Sequence, residues 1–180
     1  LVIASYRRER GNLKSLRVLF VSLAHGNGNV ELLQRHLADR ICGEVFMLSR
    51  AAAVLVIIDI QGNLAQAMFD KDNLFANNIK LIKGFKALGL PIIVTEQTPG
   101  KLGNTLSEIA AELAGIKPIA KESFSCWPNA DFHEQLEALS RRHVVLTGIE
   151  THVCVYQTAL DLLANGYSIH LVADAVSSRA

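Results

Sequence analysis

The chain has 180 residues, half of them apolar and 19% charged, which is enough for one domain with a substantial core but not for two of ordinary size. Eighteen Lys and Arg against seventeen Asp and Glu leave a formal charge of +1, so the strongly basic surface that marks nucleic-acid or anionic-membrane binding is excluded. No apolar run approaches the roughly 18 residues of a membrane-spanning helix. Three cysteines without metal-ligand spacing, Cys42, Cys126 and Cys154, point to free thiols in a reducing, cytoplasmic compartment rather than to disulfides or zinc.

Residues 1–46 read as an N-terminal extension. They hold seven basic residues against four acidic ones, begin at Leu1 and carry the basic cluster Arg7, Arg8, Arg10. The apolar run Val18-Leu19-Phe20-Val21 is too short for a secretory signal, and residues 30–39 have a helical pattern. Met47 opens a cleaner pattern and is a candidate start. Residues 54–60 form a continuous apolar run rich in β-branched side chains, ending in Asp59 and Ile60, as expected of a strand covered on both faces. Residues 73–88 predict a helix with Phe75, Ile79, Ile82 and Phe85 on one face and Gly89 as terminator. Residues 91–95 predict a second strand, and 97–103 a loop. Thr105 is expected to cap a helix with Leu106, Ile109, Ala110 and Leu113 inward. Residues 118–120 predict a short strand, Asp131 caps a helix through Leu139, and 143–147 predict a strand ending at Gly148. Residues 158–163 lie in a further helix with Gly166 beyond it, and 168–173 predict the last strand. His133 and His143 read as surface positions.

Strands joined through helices require a parallel sheet, because each return path crosses a face. The expected fold is α/β: a three-layer α/β/α sandwich on an open, mainly parallel, doubly wound, Rossmann-like sheet. Ligands in such sheets bind outside the carboxyl ends of the strands. Three groups with usable chemistry fall there: Asp59 at the end of the first strand, Lys121 after the short strand, and Cys154 past Gly148 where a helix begins. A free thiol, with a pKa of about 8.5, is mostly protonated at neutral pH. A helix N-terminus and an ammonium both favour thiolate, and a carboxylate can take its proton. A charge 4 Å away contributes about 4 kcal/mol at an effective dielectric of 20, enough to lower a thiol pKa by units. Backbone amides around residues 148–154 can then receive an oxyanion. The chemistry these groups permit is attack of a cysteine on a carbonyl carbon. The competing reading is a non-catalytic α/β binding or scaffold protein that keeps the thiol as a small buried apolar group. A flavodoxin-like phosphate site is disfavoured because Asp59-Ile60-Gln61-Gly62-Asn63 holds one glycine. His152 reads as facing away from Cys154, and Cys126 as packing rather than a second nucleophile.

Five ordered motifs carry a resemblance: Val56-Ile57-Ile58-Asp59-Ile60-Gln61; Thr95-Glu96-Gln97; Lys121-Glu122-Ser123-Phe124-Ser125; Gly148-Ile149-Glu150-Thr151-His152-Val153-Cys154-Val155; and Asp174-Ala175-Val176-Ser177-Ser178-Arg179. From Met47 to Ala180 the chain resembles the isochorismatase-like cysteine hydrolases, in the branch with Thr-Glu-Gln and Gly-Ile-Glu signatures. The resemblance implies a catalytic triad of Asp59, Lys121 and Cys154, and a cis peptide between Ile149 and Glu150 that aims the Glu150 and Cys154 amides at an oxyanion. It implies hydrolysis of an amide-like C–N bond in a small molecule through a thioester on Cys154, with Gln61, Gln97 and Phe124 touching substrate. A homo-oligomer is implied, with neither nucleic acid nor membrane as partner.

Isochorismatases proper lack the nucleophilic cysteine, so Cys154 argues against isochorismate. Family nicotinamidases bind a metal through histidines soon after the first strand. Residues 62–96 contain no histidine, so neither metal nor other cofactor is expected. Asp174 and Arg179 read as structural, with Arg179 within reach of a substrate carboxylate. Family members continue beyond the Ser-Ser-Arg motif, so the domain at 47–180 is expected to be C-terminally truncated, its edge strand missing.

Overall fold

The computed structural model describes residues 18–21 and 48–179, so the helical pattern at residues 30–39 lies outside the described residues. Six strands form one sheet: β1 (Val18–Val21), β2 (Ala53–Ile58), β3 (Ile92–Gln97), β4 (Ile119–Lys121), β5 (His143–Ile149) and β6 (Ser168–Ser177), in the order β1-β6-β5-β2-β3-β4. The pairs from β6 to β4 are all parallel. β1 runs antiparallel to β6, in register from Val18 opposite Val172 to Val21 opposite Ile169. The edge of β6, expected to be open, is thus occupied by a strand from the N-terminal extension, which satisfies backbone groups that an uncovered edge exposes.

β2 explains the three layers. All six of its residues are buried, and alternate side chains enter different cores because the strand period is two. Leu55 and Ile57 pack with Phe75, Ile82, Phe85 and Ile109 on one face. Val54, Val56 and Ile58 pack with Phe132, Leu136 and Leu162 on the other. Each such buried aliphatic side chain contributes about 1.5–3 kcal/mol of transfer free energy.

The helices are α1 (Gly62–Gln66), α2 (Lys71–Ala87), α3 (Pro99–Leu102), α4 (Ser107–Glu112), α5 (Ala130–Ala138) and α6 (Tyr156–Ala164), with a π-helical turn at Thr151–Val155 immediately before α6. α2 stops where expected, because Gly89 takes a left-handed φ of 65°. Two caps differ from expectation. Thr105 does not cap α4: its amide and hydroxyl both donate to Glu96 Oε1, at 2.6 and 2.7 Å, and the helix starts after Leu106. With only six residues α4 buries Ile109 but leaves Ala110 exposed. Asn129, not Asp131, caps α5, its side-chain oxygen accepting from the Phe132 amide at 3.0 Å.

His133 and His143 are only half exposed. Both lie against rings, His133 stacked on Trp127 with centroids 4.2 Å apart and His143 on His170 at 5.1 Å. Among the described residues no helix is long and apolar enough to cross a membrane.

Candidate active site

From β2 the chain builds outward to β3 and β4 on one side, then returns to add β5 on the other. The sheet's switch point therefore lies between β2 and β5, where a doubly wound sheet opens its crevice. Asp59 leaves β2 with φ 56° and Glu150 leaves β5 with φ 54°, two non-glycine residues in the left-handed region, each costing about 1–2 kcal/mol. Gly148 makes the approach possible. Its φ is 129°, and a Cβ there would lie 2.2 Å from the Ile58 carbonyl oxygen. The β5–β6 register shifts at the same place, between Leu146 and Gly148, with the extra residues on β6. The Val153 and Val155 amides donate back to the Glu150 carbonyl at 2.9 and 3.4 Å, closing the π-helical turn that carries Cys154.

The structure brings Asp59, Lys121 and Cys154 together. Lys121 Nζ lies 2.7 Å from Asp59 Oδ2, with the two side chains 0% and 2% exposed. The ammonium also donates to Gln97 Oε1 at 2.7 Å and to the Ser123 and Phe124 carbonyls at 3.2 and 3.1 Å. Four acceptors surround three N–H groups, which fixes the ammonium in place. The Asp59 carboxylate is held on its other oxygen by the Thr95 hydroxyl at 2.7 Å, and Cys154 shares a cavity wall with it, close enough to feel its charge.

Expectation and structure part company on the thiol's charge. Burial pushes the Cys154 pKa up to about 12. The Lys121 ammonium opposes this, while the charge of Asp59 adds to it. The lysine cannot win because Asp59 already neutralises it at contact distance. Cys154 is therefore held as a thiol beside a carboxylate, not as the standing thiolate expected from a helix end and an ammonium.

The cis peptide is a second correction. Among the described residues every peptide bond is trans, that between Ile149 and Glu150 included. The turn is made by left-handed Glu150 (φ 54°, ψ 64°), which reverses the chain at less cost than the roughly 3–4 kcal/mol of a non-proline cis bond.

A cavity of about 190 Å³ opens over the trio, lined by Asp59, Gln97, Glu150, Cys154 and Arg179 and by the apolar Leu64, Leu102, Phe124, Ile149 and Val153. Of the residues expected to touch substrate, Phe124 stands at its wall, 56% exposed. Gln97 lines it too but spends its amide oxygen on Lys121, while its nitrogen donates to the Glu122 carbonyl at 2.7 Å. Gln61 is fully buried and does not line the cavity. Its carboxamide accepts from the Gln97 amide at 2.6 Å and donates to the Gln97 and Gly103 carbonyls at 3.0 and 2.6 Å, so it anchors the 97–103 loop.

His152 does face away, with Nδ1 2.9 Å from Ser178 Oγ. Arg179 Nε lies 2.6 Å from Glu150 Oε1 at the cavity rim. Sequence reasoning missed Thr95 and the positioning role of Gln97. The available signal was the period of a strand, which puts both on the face of β3 that meets Asp59 and Lys121. Among the described residues no group of three or more His, Cys, Asp or Glu is placed to hold a metal ion.

A thiol, a carboxylate and a locked ammonium gather at the switch point of a doubly wound α/β sheet. Residues 53–180 match the isochorismatase domain, and the chain belongs to the isochorismatase family. It is 38% identical over 133 residues to isochorismatase domain-containing protein 2 of Danio rerio, covering 74% of this chain and 66% of that one. It is 38% identical over 131 residues to the secreted isochorismatase effector Isc1 of Phytophthora sojae, covering 71% and 62%. The chain thus spans slightly less than two-thirds of the length of these curated relatives. Among solved structures it is similar to the MAR1 ribonuclease of Caenorhabditis elegans (TM-score 0.68, 36% identity, 74% of this chain and 68% of that one). It is also similar to YcaC of Pseudomonas aeruginosa with hexane-2,5-diol and covalent acrylamide (TM-score 0.70, 25% identity, 75% and 69%). The octameric YcaC hydrolase of unknown specificity from Escherichia coli is similar as well (TM-score 0.69, 26% identity, 75% and 68%).

Proposed function

We propose that the protein is a cysteine-dependent hydrolase of small molecules with an amide-like C–N bond, with Cys154 as nucleophile, Asp59 as base and Lys121 as fixed cation. The observation that carries this reading is the Asp59 carboxylate, which holds the Lys121 ammonium at 2.7 Å and lines the same cavity as the Cys154 thiol. A thiol held neutral by burial attacks only as its proton leaves, so Asp59 takes the proton while Sγ bonds to the carbonyl carbon. Lys121 holds the carboxylate in place. Backbone amides of the turn at residues 148–154 receive the developing oxyanion. Collapse breaks the C–N bond, Asp59 returns the proton to the departing amine, and a thioester remains. Water, deprotonated by Asp59, then releases the carboxylic acid and the thiol.

The cavity, at about 190 Å³, is below the usual 300–1,000 Å³ of sites for drug-sized ligands, which favours a metabolite-sized amide. The covalent acrylamide in the Pseudomonas YcaC structure supports a reactive site in the family, because acrylamide is a thiol-selective electrophile. Self-association belongs to the same reading, since one relative is octameric; light scattering that returns only monomer overturns that part. A reducing, cytoplasmic setting fits the two free thiols among the described residues, Cys126 and Cys154.

The test is a panel of small primary amides, imides and esters, with RNA as a separate arm because one structural relative is called a ribonuclease. The wild type is expected to turn over at least one small acyl compound and to show an acyl adduct by intact mass. Cys154→Ala is expected to lose turnover by at least 10³-fold. Undiminished hydrolysis by the alanine variant would falsify the mechanism, and cleavage of RNA alone would replace the substrate class.

A further inference from the structure

The triad accounts for Lys121 and Cys154, but it leaves open what aims Asp59. A carboxylate on a single Cβ can rotate, and its two oxygens must face two different partners at once. Oδ2 is fixed by Lys121 at 2.7 Å. Oδ1 is 2.7 Å from Thr95 Oγ1, and Thr95 is completely buried. Behind it lies Cys126, also completely buried, with Sγ 3.9 Å from the same hydroxyl. Cys126 is itself held in place, its amide donating to Thr158 Oγ1 at 3.0 Å.

The direction of these bonds follows from the groups. An ionised carboxylate only accepts, so the single hydroxyl proton of Thr95 points to Asp59. That leaves the hydroxyl lone pairs for the Cys126 thiol, which burial keeps protonated, with its pKa pushed up to about 11. A thiol is a weak donor, but it gains strength in a fully buried, low-dielectric setting, and the Thr95 hydroxyl oxygen lies within its reach.

We propose that Thr95 and Cys126 form a buried donor chain, Cys126 to Thr95 to Asp59, which sets the orientation of the carboxylate that takes the Cys154 proton. Thr95 is then a positioning residue in the Thr-Glu-Gln motif. Gln97, two residues on and on the same face of β3, does the equivalent for Lys121 at 2.7 Å. Glu96, between them, faces the other way and ties down Thr105. The inference also gives the second thiol a role that is neither nucleophilic nor mere packing. It rests on the reading of Asp59 as the base for Cys154.

The experiment follows alkylation of Cys154 by iodoacetamide at pH 7.5, site-resolved by peptide mass, and so needs no known substrate. Thr95→Val, which keeps the shape and deletes the donor, is expected to slow Cys154 labelling at least fivefold. Thr95→Ser, which restores the hydroxyl, returns it to within twofold of wild type. Cys126→Ala gives an intermediate, two- to threefold slowing. Thermal unfolding of each variant separates these effects from loss of fold: Thr95→Ser loses packing methyl volume yet regains labelling, an order that a purely structural role does not produce. Asp59→Asn is the control on the underlying reading. If Asp59→Asn labels at the wild-type rate, Asp59 is not the base and the reading itself falls. If Asp59→Asn is slow while folded Thr95→Val keeps the wild-type rate, or Thr95→Ser is no faster than Thr95→Val, the donor chain alone is overturned.

Discussion

At the scale of single residues the site is organised by the cost of burying charge. Lys121 and Asp59 are almost wholly removed from water, and such a pair persists because each ion satisfies the other and every remaining proton has an acceptor. Lys121→Met removes the cation and leaves the carboxylate alone in an apolar setting. The variant is expected to lose about 3–5 kcal/mol of stability, read as a lower midpoint in urea. Lys121→Met combined with Asp59→Asn is expected to recover most of that stability, since no unpaired ion remains, while staying inactive. A double variant as unstable as the single one would show that the lysine acts by packing rather than by charge. The same burial explains Cys154: desolvation outweighs a neighbouring ammonium that is already paired, so the thiol waits for its base.

At the scale of elements, what was legible in the sequence is what local pattern controls. β2, β3 and β5 announce themselves as runs of β-branched and apolar residues, and the alternation of strand and helix fixes a parallel sheet. Asp59, Lys121 and Cys154 were legible because each lies at or just past the carboxyl end of a strand, and strand ends share an edge. The caps of α4 and α5 were not, since Thr105 has a tertiary partner in Glu96 and Asn129 competes with Asp131 over two positions of the same loop. Nor was the seating of β1, whose partner β6 lies about 150 residues away, or the trans turn at Glu150, which depends on how β5 meets β2. Gly148 governs that meeting. Gly148→Ala places a Cβ 2.2 Å from the Ile58 carbonyl oxygen, at a φ of 129° that side-chain-bearing residues avoid. Backbone cannot yield cheaply there, so the substitution is expected to cost about 3 kcal/mol or more and to abolish activity. Gly166→Ala, where a Cβ meets nothing within 4 Å, bears only the strain of its positive φ and is the control. Equal losses for the two, measured by chemical denaturation, would mean that backbone conformation and not the β2–β5 contact is decisive.

At the scale of the whole molecule, stability is tied to pH through a ring on the side of the sheet opposite β4. His170 is buried in β6, opposite Val145 of β5 and, in backbone register, Phe20 of β1. Burial, with a smaller contribution from the neighbouring His143, pushes its pKa down to about 4. The folded protein therefore keeps the imidazole neutral while the unfolded chain protonates it near its ordinary value of about 6.5. Between those two values the unfolded state binds more protons, so stability is full above about pH 6.5 and declines as the pH falls toward 4. From pH 7 to pH 5 the loss amounts to about 2 kcal/mol, a large part of the 5–15 kcal/mol typical of a domain. His170→Phe keeps an aromatic ring against His143 but has no proton to gain. Its stability in urea is expected to fall by about 2 kcal/mol less than that of the wild type over the same interval, with carboxylate contributions common to both cancelling in the difference. Parallel losses in the two proteins would place the acid sensitivity elsewhere. Because β6 joins the parallel strands to β1, protonation of His170 loads a strand paired on both sides, and amide exchange in β6 is expected to accelerate at pH 5 ahead of exchange in β2, which is buried between β3 and β5.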